Sequence, residues 1–157
     1  MGPSQNRTPA APPPSGPEYL LVDGYNVIFA WDELKKIAVE NLDAARRRLM
    51  DILCNYAGYR KCVPILVFDA YRVKGAGREQ ETWHNLHVID TGEAETADMF
   101  IERATHELAK NHRVRVVSSD GAEQIIILGN GALRVSARAF EREVRAVEAE
   151  IREFLDQ

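Results

Sequence analysis

Leu20-Leu21-Val22-Asp23-Gly24-Tyr25-Asn26-Val27-Ile28 decides how this chain is read. Its first half is a short apolar run with the composition of a buried strand, and the run stops at a carboxylate followed by a turn dipeptide. In open α/β sheets ligands bind in the crevice beyond the carboxyl ends of the strands, so this grammar delivers Asp23 to the rim where chemistry is placed. The pattern recurs twice. Pro64-Ile65-Leu66-Val67-Phe68 ends at Asp69, and Val114-Arg115-Val116-Val117-Ser118-Ser119 ends at Asp120. Three carboxylates brought to one sheet edge repel one another, and a divalent cation is the simplest compensation.

Working outward, strand-like and helix-like patterns alternate from Tyr19 onward, the signature of a parallel sheet with crossover helices and hence of an α/β fold. Strands are expected at Tyr19–Val22, Val63–Phe68, Leu86–Ile89, Val114–Val117 and, as a short final one, Ala132–Val135. A helix over Leu42–Tyr56 carries Leu42, Ala45, Leu49, Ile52, Leu53 and Tyr56 at helical spacing, and one over Thr96–Lys110 carries Ala97, Ile101, Ala104 and Leu108. Ala122–Leu128 reads as a short helix closed by Gly129-Asn130-Gly131. Ser136 then caps a terminal amphipathic helix built on Phe140, Val144, Val147, Ile151 and Leu155. Gly75 and Gly77 mark a loop after the second strand.

With 157 residues, 45% of them hydrophobic, the chain can bury one core, so residues 19–157 are expected to form one domain. Residues 1–18 hold six of the seven prolines and almost no large apolar side chain, the composition of a disordered tether or linker. No stretch approaches the roughly 18 apolar residues of a membrane span, and the N-terminus lacks the pattern of a signal peptide, which points to a cytoplasmic protein with no membrane partner. Cys54 and Cys62 have no metal-binding spacing and are expected to be reduced thiols. The formal net charge of −4 excludes a protein that coats nucleic acid by bulk electrostatics. It does not exclude a nuclease, because Arg46-Arg47-Arg48, Arg60-Lys61 and Arg72 with Lys74 and Arg78 supply cations for a local phosphate track. Taken singly, each of these charges is an ordinary solvated residue.

A fourth acidic position comes from Glu95-Thr96-Ala97-Asp98 at a helix start, where Glu95 and Asp98 share the first turn. Each acid has a plain structural explanation: Asp23-Gly24 as a turn, Asp69 as a strand end, Asp98 as a helix-dipole partner, Asp120 as a cap. Their joint occurrence, with Asn26 three residues after Asp23, is what indicates a metal site. Competing motifs are weaker. Gly75-Ala76-Gly77 and Gly129-Asn130-Gly131 lack the third glycine of a dinucleotide fingerprint, and no Walker A sequence is present. Tyr25 stands where an aspartyl-phosphate phosphatase would need a second aspartate. His84, His87, His106 and His112 are scattered, and Trp31 and Trp83 read as core or loop anchors.

Val22-Asp23-Gly24-Tyr25-Asn26-Val27-Ile28, Val67-Phe68-Asp69-Ala70-Tyr71 with Val73-Lys74-Gly75, Glu95-Thr96-Ala97-Asp98 with Ile101-Glu102, and Ser118-Ser119-Asp120 with Glu123-Gln124 together resemble the NYN domain family of the PIN-like superfamily, in its YacP-like subgroup. The best understood type of that subgroup is a ribosome-dependent mRNA decay endoribonuclease. The resemblance runs from about Tyr19 to the C-terminus and implies a PIN-like three-layer α/β/α sandwich with a central, mainly parallel sheet. It also implies Mg²⁺ or Mn²⁺ at the acidic cluster and endonucleolytic cleavage of single-stranded RNA, with mRNA and the ribosome as partners. Carried over by position, Asp23, Asn26, Asp69, Asp98 and Asp120 form the catalytic set. Of these, Asp23, Asp98 and Asp120 are the expected metal ligands, Asp69 completes the negative pocket, and the Asn26 amide orients a carboxylate or the scissile phosphate. Arg46, Arg47, Arg48, Lys74, Ser118 and Ser119 are the expected RNA contacts. The rival is a non-catalytic RNA- or ribosome-docking module of a larger protein; the oligomeric state stays open.

Overall fold

A computed structural model describes residues 16–69, 79–92, 95–118, 126–127 and 131–157, with the backbone alone described at 79, 80, 126 and 127. In chain order the elements are β1 (Tyr19–Asp23), α1 (Gly24–Ala30), α2 (Asp32–Glu40), α3 (Leu42–Arg60), β2 (Val63–Phe68), β3 (Glu79–Trp83), β4 (Leu86–Asp90), α4 (Ala97–Leu108), β5 (Val114–Ser118), β6 (Ile126–Ile127), β7 (Leu133–Ser136) and α5 (Ala137–Leu155). The described strands form one sheet in the order β3-β4-β2-β1-β5-β7-β6. β1, β2, β4, β5 and β7 run parallel, while β3 and β6 close the two edges antiparallel.

Period-two alternation divides the core into two layers. Leu20 and Val22 of β1 face the side covered by α1, α2, α3 and α5, together with Leu66, Phe68, Val88, Val117 and Val135. Leu21 faces the other side, with Val67, Ile89, Val114, Val116 and the α4 residues Phe100 and Ile101. The result is a three-layer α/β/α sandwich. On the larger face Trp31 is fully buried at the α1–α2 junction, and its Nε1 donates to the Ala137 carbonyl at 2.8 Å, tying that corner to the start of α5.

The structure departs from the sequence reading at four places. Asp23-Gly24 is no turn: the Asp23 carboxylate accepts the Asn26 N–H and starts α1 directly, and α2 follows after Trp31. The α3 helix continues past Tyr56 to Arg60 and stops at Lys61, which takes φ 57. β3 was not legible, because Glu79-Gln80-Glu81-Thr82-Trp83 is a polar edge strand. Where a helix was expected over Ala122–Leu128, the two described residues, Ile126 and Ile127, pair antiparallel with β7; a β-branched pair suits an extended edge better than a helical turn. The rest of that segment, the Gly75–Gly77 loop and residues 1–15 lie outside the described residues.

At the amino end of the sheet the chain is fastened on entry. The Gly16 carbonyl accepts Arg113 Nη2 at 2.6 Å, and Glu18 Oε1 lies 3.2 Å from Arg115 Nε. Arg115 also donates to Tyr56 Oη and to Glu143 Oε2, each at 2.6 Å, while Tyr56 Oη donates to Glu143 Oε1 at 2.9 Å. Burial pushes the Tyr56 phenol up to about 12, so it stays a neutral donor inside this clasp. These contacts turn Glu143 of α5 toward the sheet.

Candidate functional site

β1 passes into α1 without a loop, so Asp23 is at once the last strand residue and the helix N-cap. Its side chain is buried, and Asn26 holds both oxygens: the backbone N–H reaches Oδ1 at 3.3 Å and Nδ2 reaches Oδ2 at 2.7 Å. Gly24 is required by close approach. A Cβ there would stand 2.6 Å from Phe68 Cδ1, inside any tolerable contact, and Phe68 is fully buried. The Tyr25 ring packs against Phe68 at 4.9 Å and, in a stacked orientation, against Phe29 at 6.3 Å.

From this junction a polar cleft of about 240 Å³ opens, lined by Asp23, Tyr25, Asn26, Asp69, Thr96, Ala97 and Asp98. β2 supplies Asp69 immediately after Phe68. α4 supplies Asp98 from its first turn, which Thr96 caps by accepting the Met99 N–H on Oγ1 at 3.1 Å. The location follows from topology: β1 leads to β2 on one side and is flanked by β5 on the other, so the strand order reverses beside Asp23. Burial, reinforced by the charges of Asp98 and Asp69, pushes the Asp23 carboxyl up to about 6 against the opposing Asn26 hydrogen bonds. A larger, mostly apolar cavity of about 470 Å³ sits at the other end of the sheet beside Glu18, His112 and Arg113, away from this carboxylate cluster.

The donor set fits a hard cation. Carboxylate oxygens suit Mg²⁺ or Mn²⁺ rather than a soft metal, and a cation beside Asp23 would favour the anion that burial and, secondarily, the charges of Asp98 and Asp69 disfavour. Among the described residues no three His, Cys, Asp or Glu side chains stand close enough to hold a metal unaided.

The other residues singled out by sequence fall as follows. Asp120, Ser119 and Lys74, with Arg72 and Arg78, lie outside the described residues. Ser118 ends β5, where its hydroxyl accepts Arg134 Nε at 3.0 Å, and it does not line the cleft. Glu95 ion-pairs with Arg103 at 2.6 Å. The arginine triplet does not form a row. Arg46 Nη2 donates to both Asp90 carboxylate oxygens, at 3.0 and 3.2 Å, and the guanidinium lies 4.1 Å from the Phe68 ring centroid, so it braces the wall behind the cleft. Arg48 reaches Glu33 at 3.5 Å, and Arg47 reaches Asp43 at 3.3 Å on the exposed face. The wall formed by Tyr25, Phe68 and Arg46 escaped sequence reading because nothing in the spacing links residues so far apart in the chain.

Residues 20–157 match the family model of the YacP-like NYN domain. The chain belongs to the YacP-like NYN family. Among YacP-like relatives, "Uncharacterized protein YacP" of Bacillus subtilis (strain 168) is 43% identical over 135 residues, covering 85% of this chain and 79% of the relative. The crystal structure of Rae1 (YacP) from Bacillus subtilis superposes with a TM-score of 0.73 at 41% identity, over 88% of this chain and 79% of that one. A tryptophan-to-leucine variant of the same protein gives a TM-score of 0.72 at 39% identity, over 87% and 80%. The YacP-like fold and the α/β/α layering described above are therefore one architecture, and the family relation supports an RNA-related role of nuclease type. Among the described residues no helix is long and apolar enough to cross a membrane.

Proposed function

We propose that this protein is a metal-dependent endoribonuclease that cuts single-stranded RNA by water attack on the phosphodiester, leaving a 5′-phosphate and a 3′-hydroxyl. The observation that carries the reading is the buried Asp23 carboxyl, held by Asn26 at the sheet's topological switch point and facing Asp69 and Asp98 across one cleft. Asp23, Asp98 and Asp120 would hold Mg²⁺ or Mn²⁺, and the bound ion supplies a lowered water pKa and a polarised phosphoryl oxygen. The protein's own residues divide the remaining work. Asn26 fixes the Asp23 oxygens so that they need no reorganisation when substrate enters. Asp98 is solvent-exposed in the first turn of α4, where its carboxylate accepts the proton of the attacking water. Asp69 deepens the negative potential of the cleft. Placing mRNA on the ribosome as the substrate rests on the family resemblance alone.

A single assay tests the reading: 5′-labelled single-stranded RNA incubated with the protein in Mg²⁺, Mn²⁺ or EDTA, with and without ribosomes. Metal-dependent internal cuts bearing 5′-phosphates are expected, and Asp98→Asn should lower the rate at least about a hundredfold, the range for losing a general base. RNA that binds but stays intact in every metal, on and off ribosomes, would instead make the chain a docking module.

A further inference from the structure

Gly24 and Phe68 are each bonded to a residue that carries a cleft carboxylate: Gly24 follows Asp23, and Phe68 precedes Asp69. The two also touch. A Cβ on Gly24 would stand 2.4 Å from Phe68 Cε1 and 3.0 Å from Cζ, so the ring lies directly against the backbone of the first residue of α1. This contact is made on the far side of the sheet from the acid of β1. Phe68 belongs to the layer covered by α1, α2, α3 and α5, whereas Asp23 shares the α4 face with Leu21 by strand alternation. The ring has no slack. It is fully buried, the Tyr25 ring packs on it at 4.9 Å, and the Arg46 guanidinium lies 4.1 Å from its centroid. Arg46 is in turn held by Asp90, the residue that pairs with Phe68 in the β2–β4 ladder. A displacement between Phe68 and Gly24 is therefore passed on through one peptide unit to Asp23 on one side and Asp69 on the other.

We propose that Phe68 is a positioning residue of the cleft: its ring, seated against Gly24, sets the separation of Asp23 and Asp69 and with it the geometry offered to a divalent cation. The proposal rests on reading the cleft as a metal-dependent RNA-cleaving site, and it names the contact that gauges that site. A ring that only fills the core predicts lost stability and nothing more. A ring that positions the acids predicts loss of metal affinity and of the maximal rate as well, because misplacing reacting groups by about 1 Å costs on the order of a hundredfold.

The test measures Mn²⁺ affinity by calorimetric titration, cleavage of single-stranded RNA in Mn²⁺, and urea unfolding, for the full chain and four variants. Gly24→Ala forces the ring or the first turn of α1 to give way by about 1 Å, and should lower kcat about a hundredfold and Mn²⁺ affinity about tenfold. Phe68→Leu removes the ring edge, and should lower Mn²⁺ affinity and kcat about tenfold each, with KM within about twofold of the parent. It also vacates the space that the methyl needs, so adding Gly24→Ala to Phe68→Leu should cost no more than about a further threefold. Phe140→Leu is the control. Phe140 is fully buried in the same layer against Trp31 and Tyr56, and its loss should lower stability while leaving Mn²⁺ affinity and kcat within about twofold. Phe68→Leu behaving like Phe140→Leu overturns the positioning role and leaves the nuclease reading intact; so does Gly24→Ala costing the same in both backgrounds. Should Gly24→Ala fail to fold, the comparison of Phe68→Leu with Phe140→Leu decides alone. A parent that binds Mn²⁺ without cutting RNA, with affinity reduced in Phe68→Leu, retains the positioning role and overturns the nuclease reading. A parent that binds no Mn²⁺ overturns both.

Discussion

At the scale of single residues, Asp23 connects folding to the site. Its carboxyl ionises near 6 in the folded protein, against an ordinary value of 3.8, because burial and then the charges of Asp98 and Asp69 disfavour the anion. Between those values the native state binds more protons than the unfolded chain, so the stability that this group contributes is greatest below about pH 4 and is lost as the pH rises through about 6. The full swing is of order 3 kcal/mol, because each tenfold change in an ionisation constant corresponds to about 1.4 kcal/mol. Urea unfolding in metal-free buffer should show that slope in the parent and not in Asp23→Asn. Asparagine remains a competent N-cap, so above about pH 7 the variant should be no less stable than the parent. Parallel pH curves for the two proteins would show that the Asp23 carboxyl is not perturbed in this way. Asp98→Asn removes one of the charges acting on Asp23, so the midpoint of the slope should move down.

At the scale of elements, α3 separates two kinds of arginine. Arg46 and Asp90 are both mostly buried and form an ion pair against Phe68, whereas Arg47 and Asp43 are exposed at helical spacing. Arg46→Ala removes the ion pair to Asp90 together with the guanidinium packed on the Phe68 ring and should cost about 2 kcal/mol, while Arg47→Ala should change stability by no more than about 0.5 kcal/mol. Chemical denaturation of the two variants checks this; equal effects would mean that the buried pair carries no net stabilisation. The same contrast explains what sequence reading can and cannot reach. β1, β2, β4, β5 and β7 were legible because Val, Ile and Leu runs of strand length are bounded by acids, glycine or serine. α1 and α2 were not, because Asp23-Gly24 has the composition of a turn and only the close approach of Phe68 reveals why a glycine opens a helix there. The acids Asp23, Asp69 and Asp98 stood out through their shared position at element ends. The commitment of Arg46 to Asp90 across 44 residues is a tertiary choice that no local pattern encodes.

At the scale of the whole molecule, a cation that binds only the folded cleft must stabilise everything coupled to it. Titrating Mn²⁺ or Mg²⁺ should raise the melting temperature of the parent, with a free-energy gain of about 2.7 kcal/mol when the ion reaches a hundred times its dissociation constant, and should do so far less for Asp23→Asn. Identical shifts in both proteins would assign the effect to sites elsewhere. The position of β1 has a further, mechanical consequence. This strand is hydrogen-bonded on both sides, over five register positions with β2 and four with β5, and its entry is clamped through Gly16 and Glu18. Tension applied at Gly16 along the strand axis therefore loads both ladders in shear, and they have to rupture together. Tension applied at the far end of α5 meets Phe154 and Leu155, which are 70% and 71% exposed, and can peel that helix away turn by turn. A pull at Gly16 should therefore meet more resistance than a pull at the far end of α5, with the carboxylate of Asp23 at the tip of the strand that bears the load.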